Sequence, residues 1–449
     1  MSKGSGLTRG DVRRNARKAA LRALVPASNA VAGIDLGEAR QALAVTGEDN
    51  RVLARRSPRV SVHGLGAVLD WAREKALAAG YGGMTVACEP AGSRWMVVQE
   101  LCRARGLPLV CVQPLVTHIA REQQDLTGDK ADEPDAELIA RLARELHCYV
   151  PEELEAGWAE LRAAGRDRAA QVTRSTAAKQ LIRDQLSLVA PGLLAAHCEP
   201  LDSATWLACL EAALDGAAAG SLAGACAGGY EAFAAAAAGR LAGWGGKRLG
   251  PTAAKVFALL GAPAAVPRMV RAVRRRLAGA LEDLKYARRR RERLETEMIA
   301  MPGELGVDWQ RVCAIPGLSP ASLAAILAEA GDLHRYASSS SLVKHAGMSP
   351  ARNESASFRG KTAISRRGRP ALRLAAWRAT WAVLRHCDVL AARHAALTAR
   401  GEGRLHDGQA RAACAASLLR WIYSLIVHGT CWDPKIAAGE LGHHHAIAG

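Results

Sequence analysis

Aromatic side chains are scarce in this 449-residue chain, at 4%, with only three phenylalanines. No stretch of about 20 strongly apolar residues is present, so a bilayer span is not expected. The most apolar run, "GYEAFAAAAAGRLAGW", is alanine-rich and only weakly hydrophobic. Cysteines number eleven but none stand in a CxxC pair, which argues against a zinc module or a disulfide scaffold and for reduced thiols in a cytoplasmic setting. The N-terminal "MSKGSGLTRGDVRRNARKAALRALVP" is basic but lacks the apolar core of a signal peptide, and reads as a basic flexible arm over residues 1–28. Acids are outnumbered: 60 Lys and Arg stand against 43 Asp and Glu, a formal charge of +17. Such a balance favours a polyanion as partner, a nucleic acid above all.

Against that basic background, "GDKADEPDAELIARL" concentrates Asp129, Asp132, Glu133, Asp135 and Glu137 within nine positions. A helix start accounts for part of this, with Pro134 in the first turn and Asp132 or Glu133 as cap. A metal site acting on the polyanion accounts for it as well.

The residues before it order the choice. "NAVAGIDLG", "QALAVTG" and "RVLARRSPRVSV" read as three strands in succession. "GLGAVLDWAREKALAAG" has helical period, "GMTVACEP" is a fourth strand, "SRWMVVQELCRARG" a helix and "LPLVCVQP" a fifth strand. The order βββαβαβα is that of a ribonuclease-H-like domain, expected over residues 29–150. In that topology strands one and four are neighbours, so Asp35 and Glu89 at their ends come side by side. Asp132 and Asp135 would join them from a helix. Four carboxylates at one point repel unless cations neutralise them, and hard oxygen ligands suit Mg²⁺ or Mn²⁺.

Residues 151–303 read as a helical region ending in a coiled coil. Val273, Leu277, Ala280, Leu284, Ala287, Leu294 and Met298 form one seam, interrupted by Arg291. The run Arg288 to Arg291 is a phosphate-facing patch or a solvated face. Residues 304–432 form a mostly helical C-terminal domain. In it "IPGLSPASLAAILAEAGD" suggests a helix-hairpin-helix-like element whose turn amides face a phosphate, and Trp377, Trp381 and Leu384 are assigned to its core. Further on, Arg359, Lys361, Arg366, Arg367, Arg369 and Arg373 read as backbone-binding cations, with Ser355 and Ser357 beside them. Residues 433–449 are a tail whose His443, His444 and His445 read as a disordered end.

With these segments in view, the chain resembles the DEDD transposases of the insertion-sequence "one-ten" family, related to the Piv and MooV invertases. The matching stretches are "VAGIDLGEARQALAV" with "ACEPAG", "VQPLVTHIAREQQDLTGDKADEPDAELIARL", "IPGLSPASLAAILAEAGD" and "AGMSPARNESASFRGKTAISRRGRPALR", in the family's order. The resemblance implies a RuvC-like domain whose carboxylates are Asp35, Glu89, Asp132 and Asp135, and a C-terminal transposase domain with a nucleophilic serine. Counting from Gly347 and Pro350 assigns that serine to Ser355, although Ala356 stands where the family has glycine. "DEP" between the two aspartates is a second departure from the family pattern.

The resemblance further implies a Mg²⁺-dependent recombinase that cuts and rejoins DNA at element ends and target. It implies a homo-oligomer, dimer or tetramer, with composite sites joined through the coiled coil, and a structured noncoding guide RNA as partner. The alternatives are a RuvC-like junction nuclease that forms no covalent intermediate, and a decayed copy that only binds nucleic acid.

Overall fold

The computed structural model describes residues 7–90, 92–124, 132–153, 155–216, 222–262, 265–351, 354–355, 358–359, 363–401 and 403–439. Side chains are not described at Arg9, Gln124, Asp132, Glu133, Pro267, Glu354, Ser355, Phe358 and Arg359. The histidine tail, Ser357 and Lys361 lie outside the described residues. The chain divides into two units at residues 153/154.

The first unit begins with a helix where a flexible arm is expected. Helix α1 (Arg9–Leu24) is opened by a reciprocal cap between Thr8 and Asp11. It is anchored by Leu21 and Val25, which are buried with Val31 and Ala87 of the sheet. Basic residues on its outer face conceal this anchor in the sequence.

The strands are β1 (Asn29–Asp35), β2 (Ala42–Thr46), β3 (Val52–Arg56), β4 (Gly83–Cys88) and β5 (Leu109–Cys111). Between and after them run α2 (Val62–Ala78), α3 (Arg94–Arg103), α4 (Pro114–Gln124) and α5 (Asp132–Arg144). The sheet order is β3-β2-β1-β4-β5, with β1 antiparallel to β2 and parallel to β4. The expected adjacency of strands one and four is therefore present. Leu65, Leu69 and Val98 of α2 and α3 pack on one face with Ala32, Ile34 and Cys88. Leu138, Ile139 and Ala140 of α5 pack on the other.

The second unit is mostly helical. Its α6 (Ala156–Val189) and α10 (Val270–Glu304) are 34 and 35 residues long, and α7 (Ala204–Gly216), α8 (Gly229–Leu241) and α9 (Thr252–Leu260) lie between them in sequence. α6 and α10 pair antiparallel. Gly157 approaches Leu305, Gly165 approaches Met298, and Arg168 bonds Glu295 at 2.7 Å. All seven residues of the heptad seam are buried in this chain. Val273, Leu277, Ala280 and Leu284 join Ile182 and Leu186 of α6 and Trp206 of α7 in one core. This corrects the expectation that the seam joins protomers: within the chain it is already covered. A heptad specifies that a helix pairs, not whether its partner is in the same chain.

The remaining elements are α11 (Trp309–Cys313), α12 (Pro320–Ala330), α13 (Ser339–His345), β6 (Pro350–Ala351), β7 (Glu354–Ser355), β8 (Phe358–Arg359), β9 (Ala363–Ile364), α14 (Pro370–His386), α15 (Asp388–Ala399), α16 (Asp407–Val427) and α17 (Pro434–Ala438). α16 is long and apolar enough to cross a membrane by length and composition. Its Cys414, Leu418, Leu419 and Ile422 are instead buried with residues of α12 and α14. Trp381, expected in the core, is 45% exposed and lies under the Arg411 guanidinium, 3.9 Å from the ring centroid.

Candidate active site

In the parallel β1–β4 pair, Ile34 stands opposite Cys88. Asp35 ends β1 and Glu89 directly follows β4, so they stand next to each other at the sheet's C-terminal edge. Alternation fixes their face. Val31 and Ala87 point toward α5, whereas Ile34 and Cys88 point away. Asp35 and Glu89, two residues beyond Val31–Gly33 and Ala87 in step, share the α5 face. Both are half-buried. Arg94, at the start of α3, holds the loop just beyond Asp35, donating to the Leu36 carbonyl at 2.7 Å and pairing with Glu38 at 3.1 Å.

Gly33 sets how closely α5 approaches. A Cβ at this position would lie 2.0 Å from the Ala136 carbonyl oxygen and 2.7 Å from the Ala140 nitrogen. Only glycine lets the helix backbone rest on the strand. The small Ala42 and Ala44 on β2 continue this floor beneath Ala136. At the far end of the helix, Arg144 donates to the carbonyls of Asn29 at 3.3 Å and Thr46 at 3.1 Å. The C-terminus of α5 thus lies at the start of β1, and the helix runs antiparallel to that strand. One helical turn back from Ala136 is about 5.4 Å, and two residues along the strand from Gly33 are about 6.6 Å. The Asp132 end of α5 therefore lies at the edge where β1 delivers Asp35. An Arg55–Glu137 ion pair ties β3 to the same stretch of α5.

Asp135 has a partner that sequence reasoning missed. Arg121 of α4 grips both its oxygens, at 2.8 and 2.7 Å, and the Asp135 side chain is only 8% exposed. The carboxylate is neutralised by a guanidinium. Among the described residues, no group of three or more His, Cys, Asp or Glu is gathered closely enough to hold a metal. Asp132 is described in its backbone only. The oxygen-only donor set suits a hard cation, but Asp135 could join it only by loosening Arg121. Cys88 lies beside Glu89 in sequence but on the opposite face. Its contact with the Cys111 sulfur and its burial push its thiol well above the usual range, so it is a core residue.

The C-terminal candidates lie in the second unit. β6 pairs with β9 and β7 with β8, both antiparallel. Ser355 is the last residue of β7, opposite Phe358. These ladders are absent from the sequence reading because each strand is only two residues long.

The basic residues divide by role. Arg366 and Arg367 are exposed. Arg369 instead binds Glu329 of α12 at 2.6 Å, and that glutamate side chain is 8% exposed. Arg373 donates to the Ala346 carbonyl at 2.9 Å, at the end of α13. These two arginines bind the fold's own groups. Only the backbone of Arg359 is described.

The Ile315–Pro320 turn is flanked by α11 and α12, with Ser319 capping α12 and Gly317 at φ +83°. A Cβ on Gly317 would lie 2.7 Å from the Ala382 carbonyl, so this side of the turn packs on α14.

Comparison with known proteins follows the same division. Residues 32–191, which hold all four candidate carboxylates, match the model of IS110-type DEDD transposases. Residues 309–395, which hold Ser355 and the basic run, match the model described as the transposase IS116/IS110/IS902 family. No curated protein matches the chain. The two matched segments together cover more than half of the chain, which thus belongs to the IS116/IS110/IS902 family of insertion-sequence transposases.

Proposed function

We propose that this transposase cuts and rejoins DNA with the carboxylates of its first unit and a serine nucleophile of its second. The observation that carries the reading is the pairing of Asp35 with Glu89 at adjacent strand ends, on the face where α5 begins. Asp35, Glu89, Asp132 and Asp135 would hold Mg²⁺ or Mn²⁺. When bound, such an ion supplies Lewis-acid stabilisation of the charge developing on a phosphodiester. The carboxylates bind and orient. Arg121 keeps the buried Asp135 charge compensated until it is drawn to a cation.

In this reading the Ser355 hydroxyl oxygen bonds to phosphorus as the bond from phosphorus to one strand oxygen breaks. The serine proton ends on that leaving oxygen. Reversal with a hydroxyl of another strand rejoins DNA and frees the serine, so no oxidant or energy source is consumed. Ser355 needs activation, because a free hydroxyl is a weak nucleophile at neutral pH. Arg366 and Arg367 would hold the DNA backbone nearby. A structured noncoding RNA would select the DNA by base pairing, leaving the protein to read shape and backbone. Partner protomers would complete each site, through a surface other than the buried heptad seam.

The test uses a denaturing gel that detects DNA covalently carried by protein. The wild type should give the adduct. Ser355→Ala should abolish it while DNA binding persists, and Asp35→Asn should abolish recombination with binding intact or stronger. Loss of the adduct in Ser357→Ala but not in Ser355→Ala would move the nucleophile two residues along. Metal-dependent cleavage without any adduct would favour the junction nuclease.

A further inference from the structure

The Arg288–Arg291 run lies between the two matched segments, and the structure separates its members. Arg290 faces Asp167 of α6 at 3.4 Å. Arg288, Arg289 and Arg291 line a cavity of about 280 Å³ between α6, α10 and the turn after α8. Lys179 and Lys285 add to its wall, and Asp202 and Glu292 are its acids: five cations against two carboxylates.

Internal pairing offsets part of this excess: Arg291 lies 3.7 Å from Glu295, which Arg168 also takes. Asp202 is shared by Lys179 and Arg288. Glu211, behind the wall, takes Lys285 at 2.7 Å and the Trp244 indole N–H at 2.8 Å. Trp244 forms a floor, with the Lys285 Nζ 4.7 Å and the Arg288 guanidinium 5.7 Å from its ring centroid. Among the described residues Arg289 makes no ion pair, and it is exposed at the mouth. Burial holds the Arg288 guanidinium below its usual range; Arg291 adds to this and Asp202 opposes it. Like charges at this density repel unless an anion is supplied.

A second feature adjoins the mouth. Tyr286 is 52% exposed, in a chain with few aromatic residues, and lies three residues before Arg289, hence beside it on the surface of α10. The Arg174 guanidinium lies 5.7 Å from its ring centroid. We propose that this pocket seats a backbone phosphate of a single-stranded nucleic acid, with an adjacent unpaired base stacked on Tyr286. A phosphodiester answers the excess charge. The exposed ring selects single strands, because bases inside a duplex are already stacked on each other. The inference rests on the reading of this chain as a protein that handles nucleic acid, and adds a site outside both the carboxylate edge and the Ser355 strand.

The test measures fluorescence anisotropy of a labelled oligouridine of about twenty nucleotides, and of a DNA duplex of equal length, with the full chain over a range of KCl. Arg289→Glu should weaken oligouridine binding about tenfold and flatten the log–log salt slope by about 0.7. Tyr286→Ala should weaken the single strand about tenfold and leave the duplex unchanged. Gly243→Leu fills the mouth, since its Cβ would stand 3.4 Å from the Lys285 Nζ and 3.6 Å from Arg289 Nη2; it should act in the same direction as Arg289→Glu. Tyr286 and Arg289 are exposed and Gly243 is half-buried, and equal melting temperatures would exclude unfolding as the cause. Wild-type oligouridine affinity in all three variants would overturn the proposal. Displacement of the oligouridine by an equimolar nucleoside monophosphate would overturn it in favour of a free-nucleotide site. Absence of binding of both probes by the wild type would overturn the nucleic-acid reading itself.

Discussion

Arg121 is the residue on which the chemistry of the carboxylate edge turns. Its bidentate grip compensates Asp135, whose side chain is 8% exposed, but also occupies both oxygens that a metal would use. Arg121→Gln removes the charge and should destabilise the first unit by about 2–3 kcal/mol, less than a fully buried pair because the arginine is 31% exposed. If Asp135 is a metal ligand, millimolar Mg²⁺ should restore much of the lost melting temperature in this variant and raise that of the wild type less. A variant that Mg²⁺ does not rescue would make Asp135 a structural anion held by Arg121. Nothing in the sequence marks this pairing, because 14 residues and a helix boundary separate the partners. Arg369 carries the same lesson: the basic run is visible, but its bond to Glu329 spans 40 positions.

At the scale of elements, the α6–α10 pair replaces a supposed junction between protomers. Leu284 has no exposed surface and sits in the core shared by α6, α7 and α10. Leu284→Asp places a charge there without a partner and should cost roughly 4 kcal/mol or more. The expected result is cooperative loss of helical signal from the second unit at lower temperature, followed by circular dichroism. A variant that melts normally but changes mass in light scattering would restore the seam to an assembly role. Element positions in the first unit were more legible. Asp35 and Glu89 sit at recognisable strand ends, and the register of β1 with β4 follows once those strands pair in parallel. The close seating of α5 was not legible, because Gly33 reads as an ordinary strand glycine until a helix backbone is laid against it.

For the whole molecule, the formal charge of +17 sets how strongly salt should weaken nucleic-acid binding. That charge is not uniformly available. Arg366 and Arg367 are exposed, whereas Arg369 and Arg373 are spent on Glu329 and on the Ala346 carbonyl. Arg366→Ala or Arg367→Ala should each flatten the log–log salt slope for duplex DNA by about 0.9. Arg369→Ala should instead leave the slope in place and lower stability by about 2–3 kcal/mol, since Glu329 loses its partner. Titrations at several salt concentrations, with melting curves on the same variants, separate the two roles. An unchanged slope for Arg366 and Arg367 would place them on a solvated face.

The amino-acid sequence alone determined the order of strands and helices from β1 to β5, the strand-end positions of Asp35 and Glu89, and the family. Those properties are local: alternation, helical period, turn residues and motif spacing are all written within a few positions of one another. The tertiary structure decided which partner each charged or apolar group found. It laid α5 on Gly33, closed Arg121 on Asp135, covered the α10 seam with α6, and divided one basic run between exposed cations and internal ion pairs. A side chain's chemistry states what kind of neighbour it requires. Only the folded chain, by excluding water and bringing distant residues into contact, determines which neighbour that is.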